Sequence, residues 1–164
     1  GKVMLQELSI RDFVLISTLD LTFDRGMTVL TGETGAGKSM LIDALNLLSG
    51  QRGSVQYIRT GADKCVLRAL FHIEKYEDLK AYLIDQEIEV DDDHLLLQRS
   101  IHQSGKTVCR VNGQLVTLKV LKQIGSYLID IHGQHDHHLL RRQETHLALL
   151  DELGMDALKT VLHD

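Results

Sequence analysis

Proline and tryptophan are absent from the 164 residues of the chain, and aromatic rings come only from three Phe and four Tyr. Glycine, asparagine and aspartate must therefore mark the turns, and the core must consist mainly of Leu, Ile and Val. No apolar run approaches the roughly 20 residues that span a bilayer, and the first residues mix charged and apolar side chains, unlike a secretory signal. From these absences we expect a cytoplasmic protein without a membrane segment.

Cysteine is scarce as well, and Cys65 and Cys109 lie far apart in the sequence. They do not form a metal-binding pair, so we expect buried thiols in a reducing cytoplasm.

The net charge of -5 argues against binding of nucleic acid over the whole surface, because phosphate groups require a positive field. Hydrophobic residues at 43% and charged residues at 25% are typical of a globular chain, and the length suits one domain.

Alternation and apolar runs predict a chain that begins with strands, continues with a glycine-rich loop and a helix, and then enters an antiparallel section. The predicted strands cover residues 4–11, 15–23, 27–31, 65–73, 95–102, 107–111, 114–116 and 127–131. The predicted helices cover residues 40–48, 76–85 and 118–124, and a further helix begins near residue 143. Asn112-Gly113 indicates a tight turn. Thr117 is a suitable N-cap, and Gly125 is expected to end the helix that follows.

The glycine-rich loop carries a full phosphate-loop pattern, G-x-x-x-x-G-K-[ST], between a predicted strand and a predicted helix. The candidate ATP site reads Gly32-Glu33-Thr34-Gly35-Ala36-Gly37-Lys38-Ser39, followed by Met40. Gly35 and Gly37 let backbone N–H groups point inward at a phosphate, and the helix start adds its positive dipole end. Lys38 is expected to reach the β- and γ-phosphates, and Ser39 to bind Mg²⁺. The pattern predicts binding of ATP with Mg²⁺.

Further segments accompany this loop, and they are Met4–Phe13, Gly26–Ser39, Leu41–Leu45, Ile58–Ala62 and Asp130–His137. Together they resemble the RecN family of bacterial DNA repair proteins, which are SMC-like ABC ATPases. The resemblance implies an α/β P-loop NTPase fold, namely the N-terminal lobe of an ABC/SMC-type ATPase head with a mixed sheet and an antiparallel β section. Residues 1–154 would form this lobe, with residues 1–3 a cloning remnant. Residues 155–164 would begin the helix of a coiled coil.

The same resemblance implies a role in DNA double-strand break repair and recombination. Two heads would sandwich two ATP molecules, and each phosphate loop would meet the signature motif of the opposite head. The signature and the Walker B acidic pair would lie in a C-terminal head segment beyond residue 164, and DNA would be a further partner. Gln134, in the part that resembles the glutamine loop, would contact Mg²⁺ or its water and sense the γ-phosphate. Lys38 and Gln134 are thus the candidate catalytic residues, and the chain alone is expected to bind ATP weakly and hydrolyse it negligibly.

Two acidic stretches leave open a self-sufficient P-loop NTPase. Leu147–Glu152 has four apolar residues followed by Asp-Glu, as in a Walker B strand, although its leucines fit helical spacing better. Asp130 also follows an apolar run, so Asp130 or Asp151 would hold Mg²⁺ in that alternative.

A third interpretation is a module that docks DNA or a second head without activity of its own. Leu48–Gln51 resembles an ABC signature lacking one glycine, but a helix C-cap at Gly50 explains it better.

A histidine-rich segment and two charged groups have plainer explanations than a binding site. His132, His135, His137 and His138 lack the spacing of a helical metal pair, so a polar loop is expected. Asp91-Asp92-Asp93 lacks EF-hand spacing and is expected to form an acidic turn. The basic residues that could contact DNA or, for one of them, a phosphate are each expected on a solvated face. They are Arg52, Arg59, Lys64, Arg68, Arg141 and Arg142.

Overall fold

The computed structural model describes residues 4–24, 27–29, 36–74 and 76–131. Along these residues, seven strands are interspersed with three α-helices and a 3₁₀ helix at Val55–Tyr57. The strands are β1 Met4–Phe13, β2 Ile16–Asp24, β3 Met27–Val29, β4 Lys64–His72, β5 His94–His102, β6 Thr107–Val111 and β7 Gln114–Val116. The helices are α1 Ala36–Leu48, α2 Glu77–Asp85 and α3 Leu118–Ile131. Within the described ranges, no helix combines the length and the apolar character needed to cross a membrane.

The seven strands form one sheet in the order β3-β2-β1-β4-β5-β6-β7. Each neighbouring pair is antiparallel, so the antiparallel section predicted from the sequence extends through every described strand. Residues of β4, and of β5 apart from the buried Ser100, alternate between buried and more exposed positions, as expected for a sheet with one covered face. β1 lies inside the sheet, because β2 and β4 pair with its two edges.

Helices cover the buried face of this sheet. α1 contacts β4 and β5, and α3 contacts β6. α2 packs beside α3, where the Tyr76 hydroxyl donates to the carbonyl oxygen of Tyr127 at 2.8 Å and the rings of Tyr82 and Tyr127 lie 5.6 Å apart. The enclosed core is mainly aliphatic, as the composition predicted. Its members include Leu8, Ile10, Leu41, Leu45, Leu67, Leu97, Val111, Leu121 and Ile124.

The Asn112-Gly113 turn predicted from the sequence is confirmed. Both residues have positive φ, 51° and 83°, as a type I′ hairpin turn requires. The Asn112 side chain also accepts from the Leu96 amide at 2.7 Å and donates to the Glu89 carbonyl at 2.7 Å. The Asn112 side chain therefore links the segment before β5 to the end of the β5–β6 pair by hydrogen bonds.

The structure corrects the prediction for the segment after β7. A helix ending at Gly125 and a strand over residues 127–131 are wrong, because α3 runs without interruption through both. Thr117 is its N-cap as predicted, since Oγ1 of Thr117 accepts from the Val120 amide at 3.2 Å. The apolar run that suggested a strand continues the helical spacing of the buried core residues of α3.

Gly125 has a different role from the predicted helix end. It is buried in the middle of α3, and a Cβ added there would lie 2.4 Å from the carbonyl oxygen of Ser49. Heavy atoms this close overlap, so a larger residue at this position would force α3 away from the end of α1. The glycine therefore permits a close contact between α3 and the end of α1.

Candidate functional site

The candidate ATP site is flanked by the elements that the sequence predicted. β3 precedes it, and α1 begins inside the motif at Ala36, so Ala36 to Met40 belong to the helix. Ser39 is exposed, whereas Met40 packs against the core. Gly32, Glu33, Thr34 and Gly35 lie outside the described residues, as does the side chain of Lys38. The predicted strand before the motif and the predicted helix after it are thus confirmed, while the binding roles of the individual residues stay predictions.

The start of α1 fits a phosphate and a hard cation. The first turn of α1 contains no acidic side chain, so nothing in that turn opposes an anion at the positive end of the helix. The exposed Ser39 hydroxyl is an oxygen ligand of the kind that Mg²⁺ prefers. Further along α1, Asp43 is half-buried, and burial raises the pKa of its carboxyl group.

The opposite end of α1 is terminated by a Schellman motif. The Gln51 amide donates to the Asn46 carbonyl at 3.1 Å, and the Gly50 amide donates to the Leu47 carbonyl at 3.0 Å. Gly50 has φ +94°, a conformation that glycine adopts without steric cost. The signature-like Leu48–Gln51 is therefore a helix C-cap, as predicted.

α3 presses directly on this C-cap. A Cβ added at Gly50 would lie 2.4 Å from Cα of Lys122, and one added at Gly125 would lie 2.4 Å from the Ser49 carbonyl oxygen. The two glycines thus lie on opposite sides of a single backbone contact. Between them, the end of α1 and the middle of α3 approach more closely than any side chain would allow.

Arg99, which no sequence motif marks, lies beneath the same C-cap. Its side chain is only 1% exposed, and Nη1 donates to the Leu47 carbonyl at 2.8 Å and to the Gln51 carbonyl at 2.5 Å. Nε donates to Oγ1 of Thr107 at 3.0 Å. Burial lowers the pKa of the guanidinium from its usual value. A signal was present in the sequence, because Arg99 occupies an inward position of β5 between the buried apolar positions 97 and 101.

The two cysteines are buried, as predicted, and free. Burial raises the pKa of both thiols, while the nearby charge of Arg99 acts in the opposite direction. They lie on β4 and β6 with β5 between them, Cys109 being directly opposite Arg99 and Cys65 opposite Ile101. They are packing residues on either side of the guanidinium.

The other charged residues singled out from the sequence have the plain roles expected of them. Arg52, Arg59, Lys64 and Arg68 are exposed. Asp91 to Asp93 form a turn, with Asp92 and Asp93 at positive φ, and Lys80 Nζ lies 2.6 Å from the Asp93 carboxylate. That hydrogen bond from Lys80 holds the pKa of Asp93 below its usual value. Among the described residues, no group of three or more His, Cys, Asp or Glu is arranged to hold a metal ion.

Several predicted features lie outside the described residues. They are Gln134, the cluster from His132 to His138, Arg141 and Arg142, Leu147–Glu152 with Asp151, and the coiled-coil start at 155–164. Asp130 is different, because its backbone belongs to α3. A Walker B aspartate follows a buried strand, so the interpretation of Asp130 as such a residue loses the strand on which it depended.

Comparison with known sequences adds the relationship to established families. The AAA domain family (AAA_23) matches residues 7–156 of the chain. DNA repair protein RecN of Bacillus subtilis (strain 168) is 49% identical over 159 residues, which cover 97% of this chain and 28% of that protein. RecN of Halalkalibacterium halodurans is 48% identical over 161 residues, covering 98% of this chain and 28% of that protein. The resemblance to RecN is confirmed, and the chain spans less than a third of the length of these relatives.

Comparison with solved structures supports the predicted fold class. The chain superimposes with a TM-score of 0.57 on a solved structure from work on ATP-driven dimerization and DNA-stimulated activation of SMC ATPases. The match covers 92% of this chain and 99% of that chain at 20% sequence identity, a level at which the likeness concerns the fold. The predicted N-terminal lobe of an SMC-type P-loop ATPase head is confirmed as the fold class.

Proposed function

Since the chain belongs to the AAA domain family, we propose that it is the ATP-binding N-terminal segment of an SMC-like ATPase head acting in DNA double-strand break repair and recombination. The observation that carries this proposal is a helix, α1, that begins inside a complete phosphate-loop motif directly after a strand of the sheet. Similarity to RecN proteins at 48% and 49% identity supports the role in DNA repair.

In the proposed complex, the loop from Gly32 to Ser39 surrounds the phosphates with backbone N–H groups. The start of α1 adds a partial positive charge, and Lys38 adds a full one at the β- and γ-phosphates. The Ser39 hydroxyl is one protein ligand that this chain offers to Mg²⁺, and Gln134 is the other candidate contact. A Mg²⁺ ion held there would neutralise part of the negative charge on the phosphate oxygens.

Hydrolysis is proposed to require parts beyond this chain. Gln134 of this chain would contact Mg²⁺ or its water and sense the γ-phosphate. The acidic residue would come from the C-terminal head segment, and the signature motif would come from a second head. DNA is the further partner, and the cytoplasm, with association to the nucleoid, is the proposed location. The helical backbone at Asp130 weighs against a self-sufficient NTPase built on that residue, so ATP binding is the activity proposed for the isolated chain.

A titration with ATP in the presence and absence of Mg²⁺ tests the proposal. Binding should require Mg²⁺ for full affinity, and Lys38→Ala should weaken it at least about ten-fold, because a charge-assisted phosphate contact contributes about 1.5–3 kcal/mol. Lys64→Ala is the matched control, since this lysine is exposed on β4 and should leave the affinity unchanged. Equal binding by wild type and Lys38→Ala would contradict the proposed site. The wild-type chain could instead hydrolyse ATP at a rate comparable with that of intact SMC-like ATPases, and Lys38→Ala could abolish this hydrolysis. That result would contradict the proposal that the isolated chain only binds ATP.

A further inference from the structure

The described residues contain one buried cation whose role neither the fold nor the phosphate loop explains. Arg99 is almost completely enclosed, and no carboxylate in the described part of the chain forms an ion pair with it. Enclosing a charge without an ionic partner is costly. Apolar side chains at neighbouring inward positions of β5, such as Leu97 and Ile101, show that this face of the sheet accepts aliphatic residues. The guanidinium must therefore supply something that an aliphatic residue cannot.

What the guanidinium supplies is a set of directed hydrogen bonds to one end of α1. The Leu47 carbonyl belongs to the last turn of the helix, the Gln51 carbonyl follows its C-cap, and both accept from Nη1 of Arg99. A cation at this position also complements the negative end of the helix dipole. The guanidinium is itself fixed by Thr107 on β6. The end of α1 is thereby attached to β5 and β6 through a single side chain.

The loop after α1 closes around the same group. A Cβ added at Gly53 would lie 2.9 Å from Nη2 of Arg99 and 2.8 Å from Cδ1 of Ile101. The chain leaving α1 therefore follows the outline of the guanidinium without space for a side chain.

The orientation of α1 matters because its other end carries the candidate ATP site. Leu47 is eleven residues from the first residue of α1, which is about 16 Å along a helix. A tilt of about 3–4° about the attached end would therefore move the first turn by about 1 Å. Displacements of that size are large for a site that depends on the placement of backbone N–H groups and of Ser39.

We infer that Arg99 is a positioning residue for nucleotide binding, which acts by holding the C-terminal end of α1 and so fixing the phosphate-binding end of the same helix. The inference rests on the proposed ATP site. Arg99 itself is about a helix length away from that site and does not touch the nucleotide.

The test compares Mg²⁺–ATP affinity with stability in Arg99→Met, Arg99→Lys and the matched control Arg68→Met, whose arginine is exposed on the uncovered face of the sheet. Folded Arg99→Met should bind Mg²⁺–ATP about three- to ten-fold more weakly than wild type. Arg99→Lys, which keeps the charge but not the fork of donors, should fall between them, and Arg68→Met should match wild type. A purely structural residue would change the unfolding temperature and leave the dissociation constant of the folded protein unchanged.

A second variant keeps the inference testable if Arg99→Met does not fold. Thr107→Val removes the hydrogen bond to Nε, together with the one that Thr107 donates to the Ser100 carbonyl at 3.3 Å, and keeps the guanidinium. It should weaken Mg²⁺–ATP binding about two-fold with the fold intact. Unchanged affinity in both Thr107→Val and Arg99→Lys would overturn the inference, as would unchanged affinity in folded Arg99→Met. Absence of Mg²⁺–ATP binding by wild type would instead defeat the proposed ATP site, and the inference would fall with it.

Discussion

Two helices of the protein end in the same hydrogen-bond pattern but with different residues at the left-handed position. At the end of α2, the Ile88 amide donates to the Leu83 carbonyl at 2.9 Å, and the Glu87 amide donates to the Ile84 carbonyl at 2.9 Å. This is the Schellman pattern found at the end of α1. Glu87 has φ 60° at the position that Gly50 occupies in α1, so the geometry of the cap does not by itself require glycine.

The surroundings of the two caps explain the different residues. Glu87 is exposed, so its side chain extends into solvent and the cost is confined to local backbone strain. Gly50 is buried under α3, where Cα of Lys122 occupies the place of any side chain. A glycine at a helix end can therefore be required by the left-handed backbone conformation, by the close packing of a neighbouring element, or by both. Only the tertiary contacts of the residue distinguish these cases.

Gly50→Ala should produce the largest loss of stability in this comparison. The substitution combines about 1–2 kcal/mol of left-handed backbone strain with overpacking against Lys122 that costs about 1–3 kcal/mol. We expect the free energy of unfolding, measured in urea, to fall by about 3 kcal/mol. Gly61→Ala is the control, because Gly61 has φ +92° and open space around its Cβ position, so only the strain should appear. Equal losses in the two variants would show that the contact with α3 contributes nothing.

Gly125→Ala should be the next largest, since it tests the same contact from the side of α3. The added methyl group would overlap the Ser49 carbonyl, but alanine is a better helix former than glycine by about 1 kcal/mol. We expect a net loss of about 1–2 kcal/mol in urea unfolding. Ser126→Ala, at the next and exposed position of the helix, should change stability by less than about 0.5 kcal/mol. A stabilised Gly125→Ala would mean that α3 does not rest on the α1 cap.

Glu87→Gly should give the smallest effect, with the opposite sign. Removing left-handed strain gains about 1–2 kcal/mol, and the extra freedom of glycine in the unfolded chain offsets about 0.5–1 kcal/mol of it. Thermal unfolding should therefore show a stabilisation of about 0.5 kcal/mol. Glu87→Ala, which keeps the strain, should be close to wild type. If Glu87→Ala stabilised as much as Glu87→Gly, the glutamate side chain and not the backbone would be the source of the effect.

The sequence predicted those features that depend on neighbouring residues. Sequence patterns located seven of the eight predicted strands to within a few residues. Asn112-Gly113 marked its turn, Thr117 marked the start of α3, and the phosphate-loop motif was contiguous. The inward position of Arg99 could be read from its neighbours, but its role and the α1–α3 contact could not, because Leu47, which accepts from Arg99, lies 52 residues before it. Gly125 was misinterpreted for the same reason. Glycine often ends a helix, but here the close contact with Ser49 explains why glycine is present.

The interior position of β1 has a consequence for the way the chain folds. β1 pairs with β2 through a tight local hairpin, but its pairing with β4 closes a loop that contains residues 14–63. Closure of a long loop must occur before the contacts it permits can form, and such pairings slow folding. The candidate ATP site and α1 both lie inside this loop. Because α1 packs on β4 and β5, we expect it to reach its final position only once β1 and β4 have paired.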